Sequence, residues 1–274
     1  MRRRALLVIG AVVCGSLLGV ALLSLVWTPW PASEIAVTAR LQGPSARHWL
    51  GTDQLGRDVL SRLMVGARTS LLVSVLAVLL GAGLGIPLGL LASARGGWLD
   101  GLMMRTADLV FAFPAVLTAI LLAATRGPST ANAVLAIGLF NVPVFAIVTR
   151  NAALSLWRRE FVLAARLAGA GRLRIALEHV LPNLAGLLVV QATIQFALAI
   201  PAEAGLSYLG LGTPPPTPSW GRMLNDAQTL LYSAPRLALL PGAAIALAVL
   251  GLNLLGDGLR DRLDPRLARA EHPA

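Results

Sequence analysis

The chain has 274 residues, of which 56% are hydrophobic and 13% charged, with a formal net charge of +10. That balance excludes an ordinary water-soluble domain. Every arginine-or-lysine position is Arg; a phosphate-binding P-loop needs Lys, so the chain is not its own ATPase of that type.

Uncharged apolar runs recur at lengths that suit a bilayer, which takes about 20 helical residues to cross. They predict spans at 5–27, 69–94, 103–125, 130–149, 183–203 and 237–257, all in one transmembrane domain covering 1–274. The third is the shortest uncharged run and borrows Met103, Met104 and Ala107. Backbone groups in lipid must be satisfied internally, and runs this continuous fit helices, not barrel strands. The expected class is therefore an all-α polytopic membrane protein.

Met1-Arg2-Arg3-Arg4 before the first run has the look of a secretory leader. The run is longer than the usual core of about 7–15 residues. No clean small-x-small cleavage site precedes Glu34, so a retained helix is expected. Its lone Cys14 reads as a small buried residue. Thr28-Pro29-Trp30-Pro31 ends the helix and sets Trp27 and Trp30 at the membrane interface. In the following segment Val59, Leu60, Leu63, Met64 and Ala67 share a side, which predicts a helix lying along the outer membrane surface. Asp58 and Arg62 stand at i, i+4 and are spaced to pair. The second span carries Gly81, Gly83, Gly85, Pro87 and Gly89, small residues that let helices approach closely in lipid.

Asp108, one turn after Arg105, reads either as half of an interfacial pair or as a pathway group. Glu203, near the outer end of the fifth span, reads as a contact for a cationic substrate group or as an acceptor for loop backbone. Beyond it, Pro214–Pro218 forms a stiff stretch, and Trp220 offers an amphipathic anchor.

The segment 158–182 is too long and too patterned for a turn between spans. Phe161, Ala164, Ala165 and Ala168 fall at i, i+3, i+4, i+7 and form one mostly small helix face. Arg158, Arg159 and Arg166 hold it at the water side. Gly169 and Gly171 end the helix, Gly169 in a left-handed conformation. A second short helix is expected from Arg172 to Leu181, stopping where Pro182 opens the next span. The pattern is that of a docking element.

This segment resembles the EAA loop of ATP-binding-cassette importer permeases: Ala164-Ala165, Gly169 and Leu181-Pro182 match, while Leu163 stands where Glu is usual. The likeness extends along the chain. His48-Trp49-Leu50-Gly51-Thr52-Asp53-Gln54-Leu55-Gly56-Arg57-Asp58, Ala204–Gly212, Pro218-Ser219-Trp220-Gly221 and Asn253–Asp261 are similar to segments of dipeptide, oligopeptide and nickel permeases of the C type. The resemblance implies a type I ABC importer permease fold. It also implies a heterodimer with a homologous permease, two cytoplasmic ABC ATPases that hold ATP and Mg, and an extracytoplasmic substrate-binding protein. No cofactor is expected in this chain, and no nucleic-acid partner. The ATPase-coupling residues it implies are Glu160, Phe161, Ala164, Ala165, Arg166, Gly169, Ile175, Leu181 and Pro182. Asp108, Glu203, Tyr208 and Trp220 are the pathway or outer-loop candidates. The run 159–171 and the short N-terminus look closer to nickel-type members, with nickel or metal chelates and di- or oligopeptides as the expected cargo.

With six spans and both termini cytoplasmic, 15 arginines fall inside and 8 outside, in keeping with the positive-inside rule. The resemblance implies a bacterial inner membrane, and the bias accounts for the chain's charge without nucleic acid. His48, His179 and His272 have no zinc-like spacing, and no Gly-x-Ser-x-Gly elbow is present, which argues against an enzyme. An ion-coupled secondary transporter is the alternative; it calls for internal ionisable series and inverted repeats that the sequence does not display.

Overall fold

The structure, a computed structural model, describes residues 2–263, and the side chains of 6–262. Arg266, Arg269 and His272 lie outside the described residues, as do the side chains of Arg2, Arg3 and Arg4. The regular elements are α1 (Arg2–Leu23), α2 (Val59–Arg95), α3 (Gly97–Ala112), α4 (Ala115–Arg126), α5 (Thr130–Leu156), α6 (Glu160–Leu167), α7 (Arg172–Ile175), α8 (Leu181–Tyr208), α9 (Trp220–Ala227) and α10 (Arg236–Leu263). Among the described residues, five helices are long and apolar enough to cross a membrane, and the bent pair α3–α4 raises this to six if it is one span.

Local chemistry sets the helix ends. The side chains of Asp58, Ser129 and Ser219 accept from the backbone N–H groups of Ser61, Asn132 and Arg222, capping α2, α5 and α9. Gly96 and Gly127, at φ of 64° and 77°, close α2 and α4. Packing then follows the small residues. Gly81, Gly85 and Gly89 press α2 against Asn141, Val142 and Ala146 of α5. Gly83 points into open space. Helix α1 runs antiparallel to α10: Leu7 lies against Gly258, Val13 against Gly251, and Ala21 shares a cluster with Ala244 and Ala248. Cys14, expected to be buried, is only partly so.

Three expectations about the elements need correction. The surface helix before the second span does not exist separately; Val59–Arg95 is one helix of 37 residues. At about 1.5 Å per residue it outruns a hydrocarbon core of about 30 Å. Its first turns stand clear because Val59 packs on Met223, Ala227, Ala234 and Leu237 instead of on lipid. The third span is broken. Phe113 takes an extended conformation before Pro114, as steric pressure from a following proline requires, and α3 and α4 meet at 78°. Pro182 stands in the first turn of α8, at the entry to the span as expected, but the helix before it is not separate. A π-turn over Ala176–Val180 joins α7 to α8, with Leu181 N–H donating to Ala176 O. Proline has no N–H and crowds the carbonyl four residues earlier; the widened turn removes both conflicts.

Candidate functional site

At one end of the bundle, α6 and α7 are seated on the spans by two side chains. Val162 and Ile175 are both fully buried, packed with Leu90 of α2, Ala153 of α5, Trp157, and Val180, Leu184 and Leu188 toward α8. Trp157 is fixed by its indole N–H donating to Ser93 Oγ at 3.2 Å. The end of α6 is a Schellman turn: Ala170 N–H donates to Ala165 O and Gly169 N–H to Arg166 O, both at 3.0 Å. Gly169 has φ of 83°, the left-handed conformation this closure requires. Ala165 and Ala170 tuck partly into the buried cluster beneath the turn.

The opposite side of the segment is open and apolar. Leu167 is 90% exposed, and Phe161, Leu163 and Leu173 are also exposed. Arg158, Arg159, Glu160, Arg166, Arg172 and Arg174 surround them at the surface. Arg174 pairs with Glu178 at 2.8 Å.

The small face expected on α6 is therefore divided. Ala165 turns partly toward the spans, while Phe161, Ala164 and Ala168 remain open. Arg166 is exposed and Leu181 half-buried; Pro182 is exposed. Ile175, expected among the coupling contacts, is buried in the support of the segment. The residues missed were Leu163, Leu167, Leu173 and Val162. In a helix as short as α6 with apolar residues on several sides, composition does not fix which side turns inward.

At the other end, the segment before α2 is closed by a charged network. Asp53 accepts from the backbone N–H groups of Leu55 and Arg57 and from Arg57 Nε, the last at 2.7 Å, and from Arg62 Nη1. Asp226 of α9 accepts from Arg57 Nη2 at 3.1 Å and Arg62 Nη2 at 2.8 Å, and its Oδ1 forms an ion pair with Arg222 Nε at 3.1 Å. The expected Asp58–Arg62 pair is not formed. Asp58 instead takes Ser61 as its capping partner and His48 Nδ1 at 3.0 Å. Trp30 lies beside His48, with ring centroids 5.2 Å apart, and donates to Arg47 O, so it belongs to this folded segment.

The pathway candidates fare differently. Trp220 is 1% exposed, packed with Ala67, Ile200 and Ala244; its indole N–H donates to Leu63 O. It is a core residue joining α9 to α2, not a surface anchor. Glu203 is fully buried, so it does not face a passing cation. Its Oε1 accepts from Ser207 Oγ at 2.7 Å, and Ser207 Oγ in turn accepts from Thr213 N–H, which ties the loop to α8. Tyr208 is exposed, and its carbonyl accepts from Asn225 Nδ2. Asp108 is exposed on α3 and forms no ion pair with Arg105; the ion pair of that helix is Asp100 with Arg150 of α5.

Residues 85–269 match the family described as "Binding-protein-dependent transport system inner membrane component". The dipeptide transport system permease protein DppC of Alkalihalophilus pseudofirmus is 43% identical over 267 residues, covering 97% of this chain and 88% of that protein. The glutathione transport system permease proteins GsiD of Pectobacterium atrosepticum and Escherichia coli O157:H7 are each 45% identical, covering 82% of this chain and 75% and 74% of theirs. The chain belongs to this permease family. It is a multi-pass inner-membrane permease subunit of a binding-protein-dependent ABC importer and not itself an enzyme. Transport of this kind involves an ATPase, a binding protein and a second permease, and the secondary-transporter alternative falls away.

Proposed function

We propose that this subunit forms half of the pathway of an ATP-driven importer of short peptides, with residues 158–182 as its cytoplasmic dock for an ATPase. One observation carries the docking reading: Val162 and Ile175 hold the segment from beneath while Leu167, almost fully exposed, crowns it. An exposed apolar group ringed by arginines is what a partner's groove would cover. ATP-driven closure of the ATPase pair then moves the segment as a rigid piece. The Schellman turn and the buried contacts to α2, α5 and α8 transmit that movement to the spans.

Peptide cargo is supported by the named relatives, one a dipeptide and two a glutathione permease. A bare metal would meet no group of three or more His, Cys, Asp or Glu side chains among the described residues. Metal-chelate cargo is the arm against which the peptide reading is measured.

The test is Leu167→Asp in the assembled transporter, reconstituted in vesicles with labelled dipeptide, glutathione and a nickel chelate as cargo. A buried leucine contributes about 1.5–3 kcal/mol, so ATPase retention should fall at least about tenfold, and vanadate-sensitive peptide uptake with it. Full ATPase retention with normal uptake would refute the docking role. Uptake of the nickel chelate alone would refute peptide cargo.

A further inference from the structure

At the end of the bundle opposite α6 and α7, a cavity of 180 Å³ opens between Gln54, Leu55, Arg57 and Arg62 on one side and Pro215, Pro216, Thr217, Arg222 and Asp226 on the other. Three guanidinium groups line it. Arg57 and Arg62 are more than nine-tenths buried, and Arg222 is one-quarter exposed. Two carboxylates, Asp53 and Asp226, are shared among them, leaving the cluster one positive charge in excess. Donors also remain in excess. Arg62 Nε is buried with no acceptor. Arg57 Nη1 and both Nη nitrogens of Arg222 meet no acceptor among the described residues. A buried unsatisfied donor beside unbalanced charge is costly, and a site that tolerates both, with further guanidinium N–H groups open to the cavity, is prepared for an acceptor from outside.

We infer that this cavity receives one carboxylate, that of an Asp or Glu side chain on the binding protein docked at this face. A monoanion brings the cluster to neutrality, whereas a phosphate dianion would overshoot it. Paired guanidinium forks match the two oxygens of a carboxylate. The neighbouring base is closed by Val59, Met223, Ala227 and Leu237, which pack together between α2, α9 and α10. A group held here is therefore at a closed cup and not on a route between the spans, which favours a side chain presented by a docked protein over cargo in transit. The Pro215–Thr217 wall is exposed, and the open side of the cup is accordingly reachable by a partner surface. Arg222 does the recognising, with Arg57 and Arg62 holding Asp226 and supplying field.

The inference rests on binding-protein-dependent transport; the coupling segment is tested separately at Leu167, so either reading can fail alone. The experiment uses the whole transporter in nanodiscs and the binding protein that stimulates its ATP hydrolysis. Arg222→Glu should raise the binding-protein concentration for half-maximal stimulation by about tenfold to a hundredfold. Exchange of one surface acid of the binding protein for Arg should restore the original value. An unchanged half-maximal concentration in Arg222→Glu overturns the inference. So does direct binding of free dipeptide to the transporter without binding protein, if Arg222→Ala abolishes it, because the cup would then take cargo. A photocrosslinker at Thr217 of the otherwise unaltered chain gives an independent reading: cross-linking to the binding protein is expected, and its absence also overturns the inference.

Discussion

At the residue scale, Gly169 separates backbone conformation from packing. A Cβ built there meets nothing within 4 Å, so a substitution is resisted by φ of 83° alone. A β-branched side chain in that conformation costs about 1–2 kcal/mol, while Asn tolerates it better. Gly169→Val should loosen the Schellman turn and lower both uptake and ATPase content of the purified complex, and Gly169→Asn should keep both near normal. Equal behaviour of the two variants, measured by subunit stoichiometry and uptake, would show that the turn's geometry is immaterial. This glycine was legible because it follows an amphipathic stretch at the position where such helices close. The arginine cup was not. Arg57 and Arg62 meet Asp226 across 169 and 164 residues of chain, and no local pattern announces a partner so distant. Trp220 misled for a related reason: its amphipathic character was read from its place in a loop, whereas α9 folds back onto α2 and encloses it.

At the element scale, α2 and α5 form the closest helix pair for which the sequence offered a direct sign. The glycines at 81, 85 and 89 recur every four residues and so share a face, while Gly83 falls on another. A Cβ on Gly85 would overlap Val142 O and stand 2.7 Å from Phe145 Cβ; on Gly89 it would stand 2.8 Å from Thr149 Cβ. Since backbone approach, not hydrophobicity, joins helices in lipid, a bulky group there must push the pair apart. Gly85→Leu is expected to destabilise the subunit by about 1–3 kcal/mol or more. Gly83→Leu, facing open space, is expected to stay within about 0.5 kcal/mol of the parent. Thermal inactivation of the reconstituted complex compares them, and similar losses in both would mean the α2–α5 contact is not where the structure puts it. The long apolar runs were legible as helices for the simple reason that lipid permits little else. Their joints were not: the break at Phe113–Pro114 and the continuity through Pro182 depend on how each proline's neighbours relieve its missing N–H. Proline is equally compatible with a sharp bend and with a widened turn.

At the scale of the whole molecule, the packing of α1 on α10 brings the start of one beside the end of the other, as Leu7 against Gly258 shows. The buried cluster beneath α6 and α7 joins Leu90 and Ala153 to Leu184, near the ends of α2 and α5 and the beginning of α8. The opposite ends of α2 and α8 meet Ala21 and Trp220 through Ala67 and Ile200. Both ends of the described chain therefore lie on the same side as the coupling segment. The arginines sharpen the orientation that their number alone gave. At the far end, Arg57, Arg62 and Arg222 are tied to Asp53 and Asp226, Arg40 to Gln54 O, and Arg236 to Leu41 O and Gln42 O. Around α6 and α7, Arg158, Arg159, Arg166 and Arg172 remain at the surface, where charge resists translocation. We therefore expect the coupling segment and both termini in the cytoplasm. Single cysteines in a Cys14→Ser background test this with a membrane-impermeant thiol reagent. Ser45, Pro128 and Tyr232 are exposed at or beside the far-end loops, with Tyr232 wholly so, and replacements there should label in intact cells. Ser219 is fully buried and unsuited to the purpose. A cysteine at Leu167 should label only after the membrane is opened. Labelling of position 167 in intact cells would invert the molecule, and with it the assignment of one end to the ATPases and the other to the binding protein.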